Sequence, residues 1–158
     1  MKNLKNNISK ALLVMSVLFL LSSCKKDKDT TKEDTAKVGT FSYQSKSMDI
    51  KFADYRGGDG DGAWIYFMTS DYNALFIRFS NLGDYVIPEG TFTLKNTNPY
   101  NAALNFRGGQ VLVNNVGDEM TSGTVVIKKT GNSYKITINA NTAKGPVTGN
   151  FEGTLKKI

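Results

Sequence analysis

The last third of the chain consists of short segments in which apolar and polar side chains alternate. Between residues 133 and 140 every second side chain is apolar, which is the period of a β-strand that buries one face. A preceding β-rich run covers residues 124–129, and Gly131 and Asn132 stand between the two runs. A glycine at the first central position suits a two-residue turn. The pattern therefore predicts a β-hairpin.

A third strand is predicted after Gly145, where Val147, Phe151 and Leu155 share one face with two glycines. Further runs rich in β-branched and aromatic residues are 41–43, 48–55, 63–69, 74–79, 91–95, 103–106 and 110–113. No segment of useful length has the period of an amphipathic helix. We therefore expect an all-β fold, a single antiparallel domain of about 8 to 10 strands, closed as a barrel or, alternatively, stacked as a β-sandwich. Long loops are predicted at residues 55–63, 96–102 and 114–121, with Asp118 in a solvated turn.

The run Ala63–Thr69 is apolar at nearly every position. Such a strand lies centrally in a sheet, or one of its faces meets a ligand or partner. Its rings Trp64 and Tyr66 are the candidate ligand-binding residues, with core packing as the alternative for each. Arg78 lies in an alternating run and is predicted to project either outward or into a barrel interior.

The N-terminal segment has a different composition. Its first part is basic, with Lys2, Lys5 and Lys10, and residues 11–21 form an apolar run. Because a bilayer-spanning helix needs roughly 20 apolar residues, this run is too short to cross a membrane. Its length and its basic flank are typical of a secretory signal peptide.

The signal ends in Leu21, Ser22, Ser23 and Cys24, and Cys24 is the only cysteine of the chain. This tetrad resembles the lipobox of bacterial lipoproteins. The resemblance implies cleavage before Cys24, a diacylglycerol on its sulfur, and acylation of the new amine as a further step. It divides the chain into a signal peptide (1–23), a lipidated cysteine with a flexible charged tether (24–37) and a β domain (38–158).

Charge restricts the partners of this chain. The formal net charge is +6, but the leader holds three lysines, so its removal lowers the charge to +3. Residues 38–158 carry 12 basic and 10 acidic side chains. Such a balance lacks the basic surface that nucleic-acid binding requires. We therefore expect no nucleic-acid partner, whereas the lipobox resemblance implies a membrane partner through the acyl chains.

Four segments of the β domain carry a second resemblance. They are 87–92 (IPEGTF), 121–127 (TSGTVVI), 131–137 (GNSYKIT) and 149–155 (GNFEGTL). In this order they resemble small Bacteroidota lipoproteins with a calycin-like or lipocalin-like barrel. The resemblance implies a calycin-like barrel and an outer-membrane location, periplasmic or surface-exposed. It supplies no activity.

The residue inventory removes several kinds of catalytic site. The chain has no histidine, which excludes Ser-His-Asp and Cys-His nucleophiles and imidazole zinc sites. The Gly-rich loop 56–62 holds Asp59 and Asp61, which are weak candidates for a calcium site, because a third carboxylate and a closing glutamate are missing. We expect this loop to be a flexible polar connection between two strands. No metal or other cofactor is therefore expected.

These patterns favour a lipid-anchored envelope lipoprotein with a non-enzymatic binding or accessory role. Its partner is expected to be a glycan, a small apolar ligand or another envelope protein. Two alternatives stay open. One is a carboxylate-dependent hydrolase of glycans, and the other is a structural subunit of an outer-membrane complex.

Overall fold

The chain folds through β-strands alone over the residues that the computed structural model describes, 39–57, 62–83 and 85–158. These residues belong to one compact unit. Twelve strands and no helix occur in these ranges. The strands in chain order are β1 Thr40–Tyr43, β2 Lys46–Asp49, β3 Phe52–Gly57, β4 Gly62–Met68, β5 Ala74–Ser80, β6 Gly90–Leu94, β7 Asn105–Phe106, β8 Gly108–Val113, β9 Val116–Thr130, β10 Ser133–Thr142, β11 Gly145–Gly153 and β12 Lys156–Lys157.

The predicted all-β class and barrel-like architecture are confirmed. The strands form one curled sheet with the order β12-β3-β4-β5-β8-β9-β10-β11-β1-β2, and β6 joins it through β7 and β9. Neighbours along the sheet are antiparallel, except that β12 runs parallel to β3 and β7 runs parallel to β6. Within the described ranges, no helix has the length and apolarity that crossing a bilayer requires.

One short segment of chain joins β2, the last strand of this order, to β3, the second strand of the order. The run predicted as one strand over 48–55 is two strands, β2 and β3, with only Ile50 and Lys51 between them. The N–H of Ile50 donates to the carbonyl of Gly39 at 2.8 Å, and the N–H of Lys51 donates to the carbonyl of Met68 at 2.8 Å. The backbone therefore passes directly from pairing with β1 to pairing with β4, and this continuity makes the sheet curl.

Strand β9 provides the second bend. Its first residues pair with β8, and from Thr124 onward the same edge pairs with β6. Between these two stretches the register against β10 shifts, which leaves Thr121 as the extra residue of a β-bulge. The Thr121 hydroxyl donates to the carbonyl of Asn141 at 3.2 Å. Gly123 follows with a φ of +148°, a conformation that side chains with a Cβ rarely adopt.

Side chains fill the interior of the curled sheet. Phe79 and Phe92 meet edge to face with their ring centroids 5.1 Å apart, a favoured aromatic geometry. The largest fully buried side chains are Phe41, Phe67, Phe79, Phe92, Phe106, Ile65, Leu75, Ile77, Ile127, Ile136, Val111 and Val125. Each such burial stabilises the fold by about 1.5–3 kcal/mol relative to exposure. The body is therefore held together by a packed apolar core.

The C-terminal hairpin is confirmed, with Ser133 opposite Thr130 across the Gly131–Asn132 turn. The predicted loop over 114–121 is wrong, because only Asn114 and Asn115 form the turn and β9 begins at Val116. The first part of β9 has polar residues on both faces, so its sequence lacks the alternation of apolar residues that predicts a strand.

The bend of β9 gives a stability test. A Cβ added at Gly123 would lie 2.6 Å from both Cα and Cβ of Ala140, closer than non-bonded carbon atoms allow. Gly123→Ala is therefore expected to lower the free energy of unfolding by about 1–3 kcal/mol, measured by urea denaturation. Gly108→Ala is the control, since a Cβ there meets nothing within 4 Å among the described residues. Equal stability of the two variants would contradict the assigned role of Gly123.

Candidate ligand-binding face

The outer side of strands β3, β4 and β5 carries a contiguous group of aromatic and charged side chains. Alternation along a strand sends every second residue to this side. Register pairs Arg56 with Trp64, and Trp64 with Arg78. We call this surface the aromatic face, and its members are Phe52, Asp54, Arg56, Trp64, Tyr66, Met68, Phe76 and Arg78.

Strand β4 shows why the rings face outward. Ala63, Ile65 and Phe67 are completely buried in the core, while Trp64 and Tyr66 are partly exposed on the other side. The strand is paired on both edges, with β3 and with β5. The prediction of a central strand is confirmed, and the prediction that its outer side meets a ligand or partner stays a prediction.

Three rings of the aromatic face are in mutual contact. The rings of Trp64 and Tyr66 lie nearly parallel, 20° apart, with centroids separated by 6.1 Å. Phe76 on the neighbouring strand lies 5.6 Å from Trp64 and 5.4 Å from Tyr66. Pairs at such distances contribute roughly 0.5–1.5 kcal/mol beyond burial. The three rings therefore form one pre-arranged aromatic surface.

Two guanidinium groups stack on these rings. The Cζ of Arg56 lies 4.6 Å from the ring centre of Tyr66, and the Cζ of Arg78 lies 5.3 Å from that of Trp64. Arg56 also donates to the carboxylate of Asp54, with Nη2 and Oδ2 3.4 Å apart. Arg78 is exposed and forms no ion pair with an acidic side chain of the described residues.

Asp54 is the buried charge of the aromatic face. It is 4% exposed, and it lies in register with Tyr66 on one side and with Lys156 of β12 on the other. Its Oδ2 accepts from Arg56, but its Oδ1 is buried and has no hydrogen-bond partner among the described residues. A buried acceptor without a partner is costly. Because Oδ1 is buried, it is not open to a ligand on the surface.

The Tyr66 hydroxyl is a neutral hydrogen-bonding group of the same surface. Burial raises its pKa above the ordinary 10.0, the Arg56 charge opposes this shift, and the Asp54 charge adds to it. The phenol therefore stays protonated at neutral pH. It can donate and accept hydrogen bonds beside an apolar ring surface.

Sequence reasoning identified Trp64 and Tyr66, and the structure brings them together. The sequence analysis did not single out Phe76 or Arg56 as site residues. It left the direction of Arg78 open, and the structure shows that this side chain points outward. The sequence did contain a signal for Phe76 and Arg78, because they alternate with the apolar residues Leu75 and Ile77 along β5. Cross-strand register, which sequence does not reveal, was needed to join β3 to this group.

Several predicted site residues lie outside the described residues. These are the lipid-attachment residue Cys24, its lipobox neighbours Leu21, Ser22 and Ser23, and the calcium candidates Asp59 and Asp61. In the ranges that the structure does describe, no group of three or more His, Cys, Asp or Glu side chains is arranged to hold a metal ion.

A second group of polar side chains lies where β1, β9 and the β10–β11 turn meet. The Tyr43 hydroxyl donates to Oδ2 of Asp118 at 2.7 Å, and Nζ of Lys144 lies 2.7 Å from Oδ1. Thr142 donates to the carbonyl of Gly145 at 3.1 Å and accepts from the N–H of Lys144 at 3.1 Å. We call these side chains the corner cluster. Asp118 itself lies in β9, so the prediction that it lies in a solvated turn is wrong.

The corner cluster shifts the protonation of two of its members. Hydrogen bonds from Lys144 and then Tyr43 hold the pKa of Asp118 below its ordinary 3.8. The same bond to Asp118 raises the pKa of Lys144 above 10.5. Both shifts favour the charged forms, whereas a general acid needs a carboxyl whose pKa is raised. The corner cluster is therefore better explained as a structural contact that links β1 and the β10–β11 turn to β9.

No protein-family model, curated protein or solved structure matches this chain. The candidate site consequently rests on its own geometry. Chemically, the aromatic face offers a stacking surface, two guanidinium groups and a phenol, which is a set of groups suited to binding.

The corner cluster gives a pH-dependent test. Because the folded pKa of Asp118 is lower than the unfolded value near 3.8, its stabilisation is complete above that value and is lost as the pH falls through the folded pKa. Asp118→Asn should therefore flatten the loss of melting temperature below 3.8 and lower the melting temperature at neutral pH. Asp71→Asn, at an exposed turn position, is the control. An unchanged acid slope in Asp118→Asn would count against the cluster.

Proposed function

We propose that this protein is a lipid-anchored envelope lipoprotein that binds an extended glycan on the aromatic face and catalyses no reaction. The observation that carries the binding role is the contact of Trp64, Tyr66 and Phe76 on the solvent side of the sheet. Polar residues are usual on the solvent side of an antiparallel sheet. A contiguous apolar patch in that position is typical of an interaction site.

The packed interior argues against an enclosed small ligand. Ile65, Phe67 and Leu75 on the inner side of the face strands are completely buried against other core side chains. A barrel that holds a small molecule must keep part of its interior free of side chains. We therefore place the ligand on the outside.

The position of the face within the sheet favours a glycan over a peptide. Peptides commonly bind sheets by adding a strand at an unpaired edge, but β4 is paired on both edges. A stable protein interface covers roughly 800 Å² on each partner, with about 20–30 residues, which is far more than the eight residues of this face. A sugar chain presents apolar C–H surfaces and hydroxyl groups, which suit the rings, the Tyr66 hydroxyl and the guanidinium groups of the face.

The non-enzymatic part of the proposal rests on residue chemistry. The chain has no histidine, and hydrogen bonds from Lys144 and Tyr43 lower the pKa of the Asp118 carboxyl. Hydrolysis of a glycan by two carboxyls needs one of them to hold its proton at neutral pH. If incubation of the protein with a glycan that it binds released shorter sugar chains, the protein would be a hydrolase and this part of the proposal would be wrong.

The anchor gives the next test. Cys24→Ser removes the sulfur that the lipobox resemblance assigns to lipid, so the variant should be folded but recovered in the soluble fraction. Acyl chains stabilise membrane attachment by about 0.8 kcal/mol for each buried CH₂, so their loss should abolish attachment. Fractionation of cells with immunodetection measures this, and Ser23→Ala, which keeps a small residue before the cysteine, is the control. Membrane recovery of Cys24→Ser at the wild-type level would exclude the lipid anchor.

The binding face gives the central test. Trp64→Ala should weaken glycan binding about tenfold or more, because a ring that stacks on a ligand contributes roughly 1–3 kcal/mol. Affinity electrophoresis against immobilised neutral and acidic polysaccharides, followed by calorimetry on those that bind, measures this. Tyr72→Ala is the matched control, since Tyr72 is an aromatic residue that is 83% exposed in the β4–β5 turn.

Melting temperatures of both variants would separate loss of binding from loss of folding. Absence of binding to every polysaccharide by the folded wild type, or equal weakening by the two substitutions, would reject the glycan proposal. In the first case, a structural subunit of an envelope complex becomes the better interpretation.

A further inference from the structure

We infer that the aromatic face selects acidic glycans, and that Arg78 recognises their carboxylate or sulfate groups. This inference rests on the proposed glycan-binding function and adds the chemical class of the ligand. Its basis is an exposed guanidinium that stacks on Trp64 while no acidic side chain of the described residues pairs with it.

The stacking of Arg78 prepares it for an anion. With its Cζ 5.3 Å from the ring centre of Trp64, the guanidinium is attracted to the ring, and this interaction leaves its N–H donors available. Those donors form a planar fork that matches the oxygens of a carboxylate or sulfate. Holding the group over the ring reduces the entropy that is lost when an anion binds.

The surface next to Arg78 has room for a ligand. Its register partner on β8 is Gly108, and a Cβ built at Gly108 meets nothing within 4 Å among the described residues. The aromatic face therefore has open space beside Arg78, at the position of Gly108. A sugar ring on Trp64 can place its substituent beside the guanidinium.

The charges of the face favour the same sign of ligand. Arg56 and Arg78 belong to the face, and Lys156 is exposed in register with Asp54 at its edge. Asp54 is buried and is paired with Arg56, so it does not cancel Arg78. At the opposite edge, Glu119 accepts a hydrogen bond from Gln110 at 2.8 Å. Among the described residues of this surface, positive charge thus exceeds negative charge by one, with Arg56, Arg78 and Lys156 against Asp54 and Glu119.

This local excess distinguishes an acidic glycan from a nucleic acid. Proteins that bind nucleic acids neutralise many phosphates along a basic stripe, and the domain, with 12 basic and 10 acidic residues over positions 38–158, has no comparable surplus. A glycan with one acidic group per sugar or disaccharide needs only one or two guanidinium groups beside a stacking ring.

The experiment compares acidic glycans with neutral counterparts that share the same backbone. Polygalacturonate, hyaluronate and heparin are each paired with a carboxyl-reduced or desulfated form, and calorimetry measures binding to the wild-type protein. At least one acidic form should bind about tenfold more tightly than its neutral form. This difference should shrink in about 0.5 M salt, because screening at that ionic strength acts over a few ångströms.

Variants at Arg78 test the residue itself. Arg78→Gln should remove the preference, so that the acidic and neutral forms bind with equal affinity, whereas Arg78→Lys should restore part of the preference. Lys128→Gln on β9 is the charge-matched control, since Lys128 is exposed and pairs in register with Lys135 away from the face. It should keep the preference.

The outcomes separate the two proposals. Binding to none of the six polysaccharides would reject glycan binding altogether. Equal binding of acidic and neutral forms by the wild type, or a preference that survives in Arg78→Gln, would reject the acidic selectivity alone. Oligodeoxythymidylate that binds as tightly as the acidic glycans, with the same dependence on Arg78, would show recognition of any polyanion and would also overturn the inference.

Discussion

The structure depends on two segments of backbone that each serve two parts of one sheet. The chain from β2 into β3 leaves β1 and joins β4 within two residues. Strand β9 pairs first with β8 and then, after a β-bulge and Gly123, with β6. Because hydrogen bonds continue through both bends, the sheet curls without leaving long unpaired edges. Curling brings the inner side chains into a single packed core.

This curvature also determines where ligand chemistry can reside. Strand alternation gives each strand one inner and one outer set of side chains, and the inner apolar side chains of the described strands pack in the core. Any recognition surface must then be built from outer residues or from loops. The aromatic face uses the outer set of the most apolar strand, β4, where flanking strands hold the rings and guanidinium groups at fixed separations.

Sequence alone predicted what depends on local pattern and missed what depends on register. The alternation over 133–140 and the Gly131–Asn132 turn predicted a hairpin that the structure confirms. The first part of β9 was missed because a strand with polar residues on both faces has no apolar period, and its order comes from pairing with β8. Trp64 and Tyr66 stood out as rings on a strand that is apolar on both faces. Their contacts with Arg56 and Arg78 could not be foreseen, because a shift of one residue in pairing would send those side chains to the core side.

The outer rings have an alternative explanation as cross-strand pairs that only stabilise the sheet. Two observations weigh against it. Phe52 is 60% exposed, so it gains little from packing, and Asp54 keeps a buried oxygen without a partner in the described residues, which costs about 1–3 kcal/mol. Selection for stability alone would replace Asp54 with an apolar side chain and Phe52 with a polar one. The exposed ring and the unfavourable buried acceptor therefore support the proposal that this surface was not shaped by stability alone and that a ligand covers its rings.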